Sequence, residues 1–256
     1  MNRILKFTLL TALFIGVFSV HVYAGQLFPG ISPLLEGTDD PTEVVSTLQV
    51  FFLVSIIALA PSLLVLLTGF TRIIIVLAFG RQAMATQQMP PNQVLVGIAI
   101  FLTIFIMTPV FAEINERAIQ PFGAGEISVE EAIDAAMEPI RHFMFVQLDS
   151  DMGMSSLELF FNLADQQMYE FEEVPNYILI PAFIINELMI AFIMGFLIYL
   201  PFIVIDMVVA SVLMSMGMMM LPPAMISMPF KIMVFILSGG WGMLIESLMV
   251  TFNVYY

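Results

Sequence analysis

Cysteine is absent from the 256-residue chain, and histidine occurs only twice, at His21 and His142. The first absence excludes disulfide bonds, thiol catalysis and thiolate metal sites. One of the two histidines falls in a predicted targeting segment, so a mature chain has too few imidazoles for a multi-histidine metal site. We therefore expect neither a metal nor a catalytic residue of these kinds.

Charged residues are scarce and mostly acidic: they form 11% of the chain, with 21 acids against 7 Lys and Arg and a formal net charge of −14. This balance excludes a basic nucleic-acid footprint, so no nucleic-acid partner is expected. Hydrophobic residues make up 60%, and the mean hydropathy is +1.01. Soluble domains are about 45–50% apolar and about 25% charged. The composition excludes disorder and predicts an all-α protein embedded in membrane lipid or in an equally apolar assembly.

Residues 1–24 have the pattern of a cleavable signal peptide. Arg3 and Lys6 precede an apolar run of the right length, and small residues precede a cleavage position between Ala24 and Gly25. Cleavage would place the new N-terminus outside the cytoplasm. A short first transmembrane helix is the alternative.

The next two segments differ in charge. Residues 25–43 form an acidic lead-in, which we expect to be exposed, whereas 44–112 contain two uncharged runs long enough to span a bilayer. Between the runs lie Arg72 and Arg81 with no acid. A short loop with only positive charge is typical of the cytoplasmic side, so we predict two hydrophobic helical segments joined by a basic cytoplasmic-type loop.

Residues 113–173 contain 14 of the 21 acids and have a net charge of −12. Apolar residues recur at helical spacing after Ser128, and Glu131 three residues later completes a capping-box pattern. We predict a small, mostly helical domain on the periplasmic side. Its acids are interpreted as a solvated face, without a catalytic role.

Residues 174–256 carry only four charges and predict two or three hydrophobic helices. Proline interrupts helices at membrane depth unless protein neighbours or water satisfy the carbonyl groups that it frees. We therefore expect broken helical hairpins that pack in an assembly or line a water-filled passage. The predicted interruptions are at Pro181, Pro201, Pro222, Pro223 and Pro229.

A methionine cluster lies at one of these interruptions. Met218, Met219 and Met220 stand between Gly217 and the pair Pro222-Pro223, which predicts a helix break and a loop. Methionine is flexible and polarizable, so several such loops could form a deformable apolar collar around a pore. Ordinary packing is the alternative.

Three charges in this region stand alone in apolar sequence, where an unpaired ionisable group is costly. Glu187 and Lys231 have opposite signs and similar predicted depth, so we predict an ion pair within or between subunits. Lys231 reaching the interface alone is the alternative. Asp206 is predicted as a further acid at membrane depth, near the inner turn.

Longer blocks of sequence resemble the FliP family of flagellar type III export-gate membrane proteins, relatives of the injectisome SctR proteins. The resemblance extends from about residue 44 to about residue 250. Met189 stands where the family pattern leads us to expect lysine, and Gly239 where it leads us to expect aspartate. The blocks are Phe70 to Val76, Pro90 to Leu95, Pro181 to Leu188, Ile205 to Met214, and Gly217 to Pro223.

The resemblance implies a non-enzymatic subunit without a cofactor, in the bacterial inner membrane at the flagellar basal body. Family members form a pentamer that joins FliQ and FliR in a helical gate, near FlhB and FlhA, through which unfolded flagellar proteins are exported. It also implies that Met218, Met219 and Met220 seal the closed channel. The alternative function is a stand-alone ion or solute transporter that uses Glu187 and Asp206.

Overall fold

The computed structural model describes residues 65–86, 89–166, 173–218 and 221–252, together with a few positions between 51 and 63. The predicted signal peptide with its Ala24–Gly25 cleavage site, the acidic lead-in and most of the first hydrophobic run lie outside the described residues. The chain divides into two compact units, Met1–Ser62 and Leu63–Tyr256. In the first unit, the Ser55 hydroxyl donates to the Phe51 carbonyl at 2.8 Å. The elements below belong to the second unit.

Every regular element among the described residues is a helix, which confirms the predicted all-α fold. A five-residue π-helical turn, Asn115–Ile119, follows α2 directly. The α-helices are α1 (Phe70–Ala83), α2 (Asn92–Ile114), α3 (Gln120–Gly123), α4 (Val129–Leu148), α5 (Asp151–Leu163), α6 (Asn176–Ser215), α7 (Pro223–Leu237) and α8 (Gly240–Val250).

Among the described residues, two helical stretches, Asn92–Gly123 and Asn176–Ser215, are long and apolar enough to cross a membrane. The pair α7 and α8, bent by 65°, would make a third span if taken together. At 1.5 Å per residue, the 40-residue α6 is about 60 Å long, roughly twice the thickness of a bilayer's hydrocarbon core. A single upright span therefore cannot account for α6, and part of it needs apolar surroundings other than lipid.

The predicted interruptions at Pro181 and Pro201 are wrong, because α6 continues through both, and α7 likewise continues through Pro229. Each proline removes one backbone hydrogen bond, while the flanking turns keep theirs. Of the predicted breaks, only the one at Pro222-Pro223 separates two helices.

The predicted basic loop is also wrong, because both of its charges lie in a helix. Arg72 lies in the first turn of α1 and is fully buried, whereas Arg81 lies in the last turn of that helix. A buried arginine with partners inside the protein reports nothing about membrane orientation, so only Arg81 remains as a charge that indicates the cytoplasmic side.

The acidic segment 113–173 is mostly helical in its described part, and α4 begins with the predicted capping box. The Glu131 amide donates to the Ser128 hydroxyl at 3.3 Å, and the Ser128 amide donates to the Glu131 carboxylate at 2.7 Å. The hydrogen bonds from the Ser128 backbone and side chain lower the pKa of Glu131. This cap therefore contributes stability above the unfolded-state pKa and loses it as the pH falls through the folded-state value.

The core lies between α1 and the first half of α6, where these two helices make the most extensive contact of the fold. Helices α4 and α5 also pack against α6. The second half of α6 and most of α7 leave large apolar side chains exposed. Buried core residues include Ile73, Leu77, Ile106, Met144, Leu157, Ile178, Phe183 and Leu248.

Gly195 lies where α6 packs tightly against α1. A Cβ atom there would lie 2.3 Å from Cδ2 of Phe79, whose ring is held edge-on by Phe192 and Tyr199. We expect Gly195→Ala to lower the free energy of unfolding by about 1–3 kcal/mol, measured by thermal unfolding in mild detergent. Gly97→Ala in α2 is the control, since no atom lies within 4 Å of its added methyl group. Equal effects of both substitutions would contradict the packing.

Candidate functional site

The helix break at the methionine cluster is built by residues that the sequence already singles out. Gly217 has a φ of +75°, which favours glycine. Its amide donates to the Met214 carbonyl and the Met218 amide donates to the Leu213 carbonyl, both at 3.0 Å. These two bonds form a Schellman motif that ends α6, and Pro223 is the first residue of α7. The loop is therefore fixed at both ends.

The described residues of this loop expose apolar side chains. Met216 is 66% exposed, Met218 is 40% exposed and Leu221 is 42% exposed. Met219 and Met220 lie outside the described residues. The loop contributes flexible thioether and aliphatic groups and no charge, so it suits an apolar constriction better than a polar binding site.

A polar cluster of Asp206, Ser227 and Lys231 joins α6 to α7, the two helices that the loop connects. The Lys231 ammonium donates to Asp206 Oδ2 at 2.6 Å, and the Ser227 hydroxyl donates to Asp206 Oδ1 at 2.5 Å. The side chain of Lys231 is 5% exposed and that of Asp206 is 39% exposed. The two carboxylate oxygens each have a donor, so the cluster fixes how the two arms of the hairpin lie against each other.

A second cluster surrounds Arg72, whose side chain is fully buried together with that of Glu187. The guanidinium forms a bidentate pair with the Glu187 carboxylate, with Nε 3.0 Å from Oε2. Its Nη1 donates to the Thr251 carbonyl at 2.8 Å, and its Nη2 donates to Gln147 Oε1 at 3.1 Å. The guanidinium also lies 4.1 Å from the centre of the Phe252 ring. One cation thus joins α1, α4, α6 and the segment after α8.

The partners of Arg72 are themselves linked. Gln147 Nε2 donates to the Phe252 carbonyl at 2.7 Å, and Asn186 Nδ2 donates to the Gln147 carbonyl at 2.9 Å. The Phe252 ring packs on Gly69, where a Cβ atom would lie 2.3 Å from it. The polar groups are therefore held in one connected network inside the apolar core.

The predicted pair between Glu187 and Lys231 is wrong, because each residue has another partner within the chain. Glu187 pairs with Arg72 and Lys231 pairs with Asp206. The prediction rests on the sign and estimated depth of the charges, and it leaves out Arg72 because Arg72 is predicted to lie in a loop. The uninterrupted helical pattern of apolar residues around Arg72 is the feature of the sequence that indicates a helix at this position.

The structure does not bring Glu187 and Asp206 together, as a transport relay would need. Both lie on the continuous helix α6, nineteen positions apart, which corresponds to about 28 Å along the axis. Both oxygens of Glu187 already accept hydrogen bonds from Arg72. Within the described part of the chain, no group of three or more His, Cys, Asp or Glu residues could hold a metal ion.

The two departures from the family pattern lie at exposed or turn positions. Met189 is 41% exposed on α6. Gly239 has a φ of +66° in the turn between α7 and α8. Aspartate also tolerates this left-handed conformation better than most residues, so glycine preserves the turn.

The Asp206–Lys231 pair gives an asymmetric prediction, because its partners differ in burial. Removing Asp206 leaves a buried ammonium without a carboxylate, whereas removing Lys231 leaves a carboxylate that solvent can reach. We expect Asp206→Ala to cost about 3 kcal/mol in thermal unfolding and Lys231→Ala about 1 kcal/mol. Equal losses, or a larger loss for Lys231→Ala, would contradict the burial of this pair.

Comparison with known proteins gives consistent matches. The model of the FliP family matches residues 53–248. The flagellar biosynthetic protein FliP of Bacillus subtilis is 50% identical over 216 residues, which cover 84% of this chain and 96% of that protein. The protein of the same name from Treponema pallidum is 48% identical, covering 82% of this chain and 77% of the relative. That of Aquifex aeolicus is 40% identical, with 88% and 93% covered.

Proposed function

Since this chain belongs to the FliP family, we propose that it is a non-enzymatic core subunit of the channel through which unfolded flagellar proteins are exported. Membership makes it a flagellar biosynthetic protein and a component of the flagellar export apparatus. The finer proposal is that the chain forms part of the channel wall and contributes its constriction.

The observation that carries this proposal is the uncovered apolar surface of the α6–α7 hairpin. Phe196, Val204, Met207 and Val208 on α6 are all more than half exposed, as are Met225 and Ile236 on α7. A 40-residue helix is too long for the bilayer alone, so protein neighbours are needed along much of this surface. An assembly of several hairpins around an axis would bury it and bring the methionine loops together.

We propose that the assembly is a pentamer of this chain that also contains FliQ and FliR, next to FlhB and FlhA, in the inner membrane at the flagellar basal body. The purified complex should have the native mass of five copies plus its partners in mild detergent. A stable monomer or dimer, when the partners are co-expressed, would contradict the proposal and favour a stand-alone transporter.

The proposed topology places the acidic domain in the periplasm. Because the chain has no cysteine, single cysteines at Glu130 and Gln87 can be compared directly. An impermeant thiol reagent added to intact spheroplasts should label the newly inserted Glu130→Cys variant and not the Gln87→Cys variant. Permeabilised cells provide the control, in which both variants label. The opposite pattern in intact cells would reverse the topology.

A further inference from the structure

In the described part of the apolar C-terminal region, one acid is not paired with a cation of the chain. Among the described residues from 174 to 252, Glu187 is neutralised by Arg72 and Asp206 by Lys231. Glu246 is exposed on α8 and has no ion-pair or hydrogen-bond partner within the described part of the chain. An acid on an otherwise apolar helix face needs a cation or water when that face is covered.

Glu246 lies in the middle of an exposed apolar stripe. Met243 is 58% exposed and Val250 is 72% exposed, and both lie on the same side of α8 as Glu246 because they are three and four residues away. The partner that covers this stripe must therefore present an apolar surface with one positive charge.

Arg81 is the matching cation in the same chain. Its Nη1 donates to the Pro90 carbonyl at 3.2 Å and to Asn92 Oδ1 at 2.5 Å, which are both neutral acceptors. None of the ion pairs among the described residues includes Arg81. The side chain is half-buried at the end of α1, so it has donors to spare for a carboxylate.

Arg81 and Glu246 both lie near the point where α8 crosses α1, but they lie on different sides of that crossing. A Cβ atom on Gly80 would lie 2.7 Å from Cδ1 of Leu244, so α8 crosses α1 next to Arg81. Glu246 follows Leu244 by two residues, which is about 200° around the helix axis. Leu244 is buried toward α1 and Glu246 is exposed on the far side. Two copies placed side by side at one level would bring Arg81 of one toward Glu246 of the next.

We propose that Glu246 of one copy forms an ion pair with Arg81 of the neighbouring copy and that the Met243–Val250 stripe of α8 is buried in this contact. The proposal rests on the homo-oligomer of the proposed function and names a contact within it. A second copy is the partner that supplies a cation close to the position of the acid, because neighbouring copies in a homo-oligomer repeat the same contact.

Cysteine cross-linking between two differently tagged copies tests the pair. Arg81→Cys in one copy and Glu246→Cys in the other are co-expressed with the partner proteins and treated with a short bismaleimide, whose reach replaces the two lost side chains. We expect a cross-linked dimer that carries both tags. As the control, a cysteine at Gln120 replaces Arg81→Cys and should give no dimer. Gln120 is exposed, and it lies nearly thirty residues along the chain from Asn92, the residue that Arg81 contacts.

A charge exchange provides the second measurement, because the cysteines remove the pair itself. Glu246→Arg should reduce recovery of the oligomer roughly threefold or more, and Arg81→Glu combined with Glu246→Arg should restore much of it. An oligomer of unchanged size with no Arg81–Glu246 cross-link would overturn the pair and leave the proposed function standing. Failure of the wild-type chain to form any oligomer would overturn the proposed function itself.

Discussion

Replacing Arg72 with alanine is expected to prevent the chain from entering the export complex. The substitution leaves the Glu187 carboxylate fully buried without its cation, and it also removes donors to Gln147 and Thr251. Breaking a buried ion pair on one side costs roughly 3–5 kcal/mol, a large share of the stability of a typical domain. Four parts of the chain meet at this guanidinium, so the loss should affect the whole core.

The measurement is the recovery of assembled complex, together with the thermal midpoint of the variant in mild detergent. Arg72→Met combined with Glu187→Met is the matched control, since replacing both charges by apolar groups of similar size leaves no buried ion. We expect the double variant to assemble better than Arg72→Ala. A single variant that assembles and melts like wild type, or a double variant that is clearly worse than the single, would contradict the role of this network.

Replacing Met218, Met219 and Met220 together with alanine is expected to leave the complex assembled but permeable to small ions. The loop stays apolar, and its helix-ending bonds involve backbone groups of Gly217 and Met218, so the fold should survive. Shorter side chains would widen the proposed constriction, and an apolar constriction excludes water and ions only while it is narrow. In the proposed pentamer, five copies would together lose up to fifteen thioether groups.

The leak is measured as ion flux in vesicles that contain the complex, with slowed growth on expression as the cellular readout. Replacing the same three residues with leucine is the control, because leucine keeps most of the side-chain volume. We expect tight vesicles with leucine and leaking vesicles with alanine. An assembled alanine variant as tight as wild type would return these methionines to ordinary packing.

The sequence predicted correctly those structural elements that depend on residues close together in the chain. The capping box at Ser128 and Glu131 and the turn at Gly217 depend on residues within six positions of each other, and both are formed. The all-α class follows from composition and periodicity, which need no tertiary information.

The predictions that were wrong concern features that depend on packing between distant parts of the chain. Arg72 and Glu187 are 115 positions apart, and nothing in their local sequence indicates that one reaches the other. Pro181 and Pro201 were expected to interrupt α6, but the helix continues through both, since a proline removes one backbone hydrogen bond of a long helix. The partner of Lys231 depends on how α7 folds back on α6, and the choice between Glu187 and Asp206 could not be made from sign and depth alone.

A photoreactive amino acid at Met218 would test the channel proposal most directly. An export substrate fused to a tightly folded domain would be arrested during passage, and the complex would then be irradiated. We expect a covalent product between position 218 and the arrested substrate, and none from Phe101 on α2, where the side chain is 76% exposed. An arrested substrate that cross-links at neither position, while position 218 reacts only with lipid, would contradict the proposal that this loop lines the export channel.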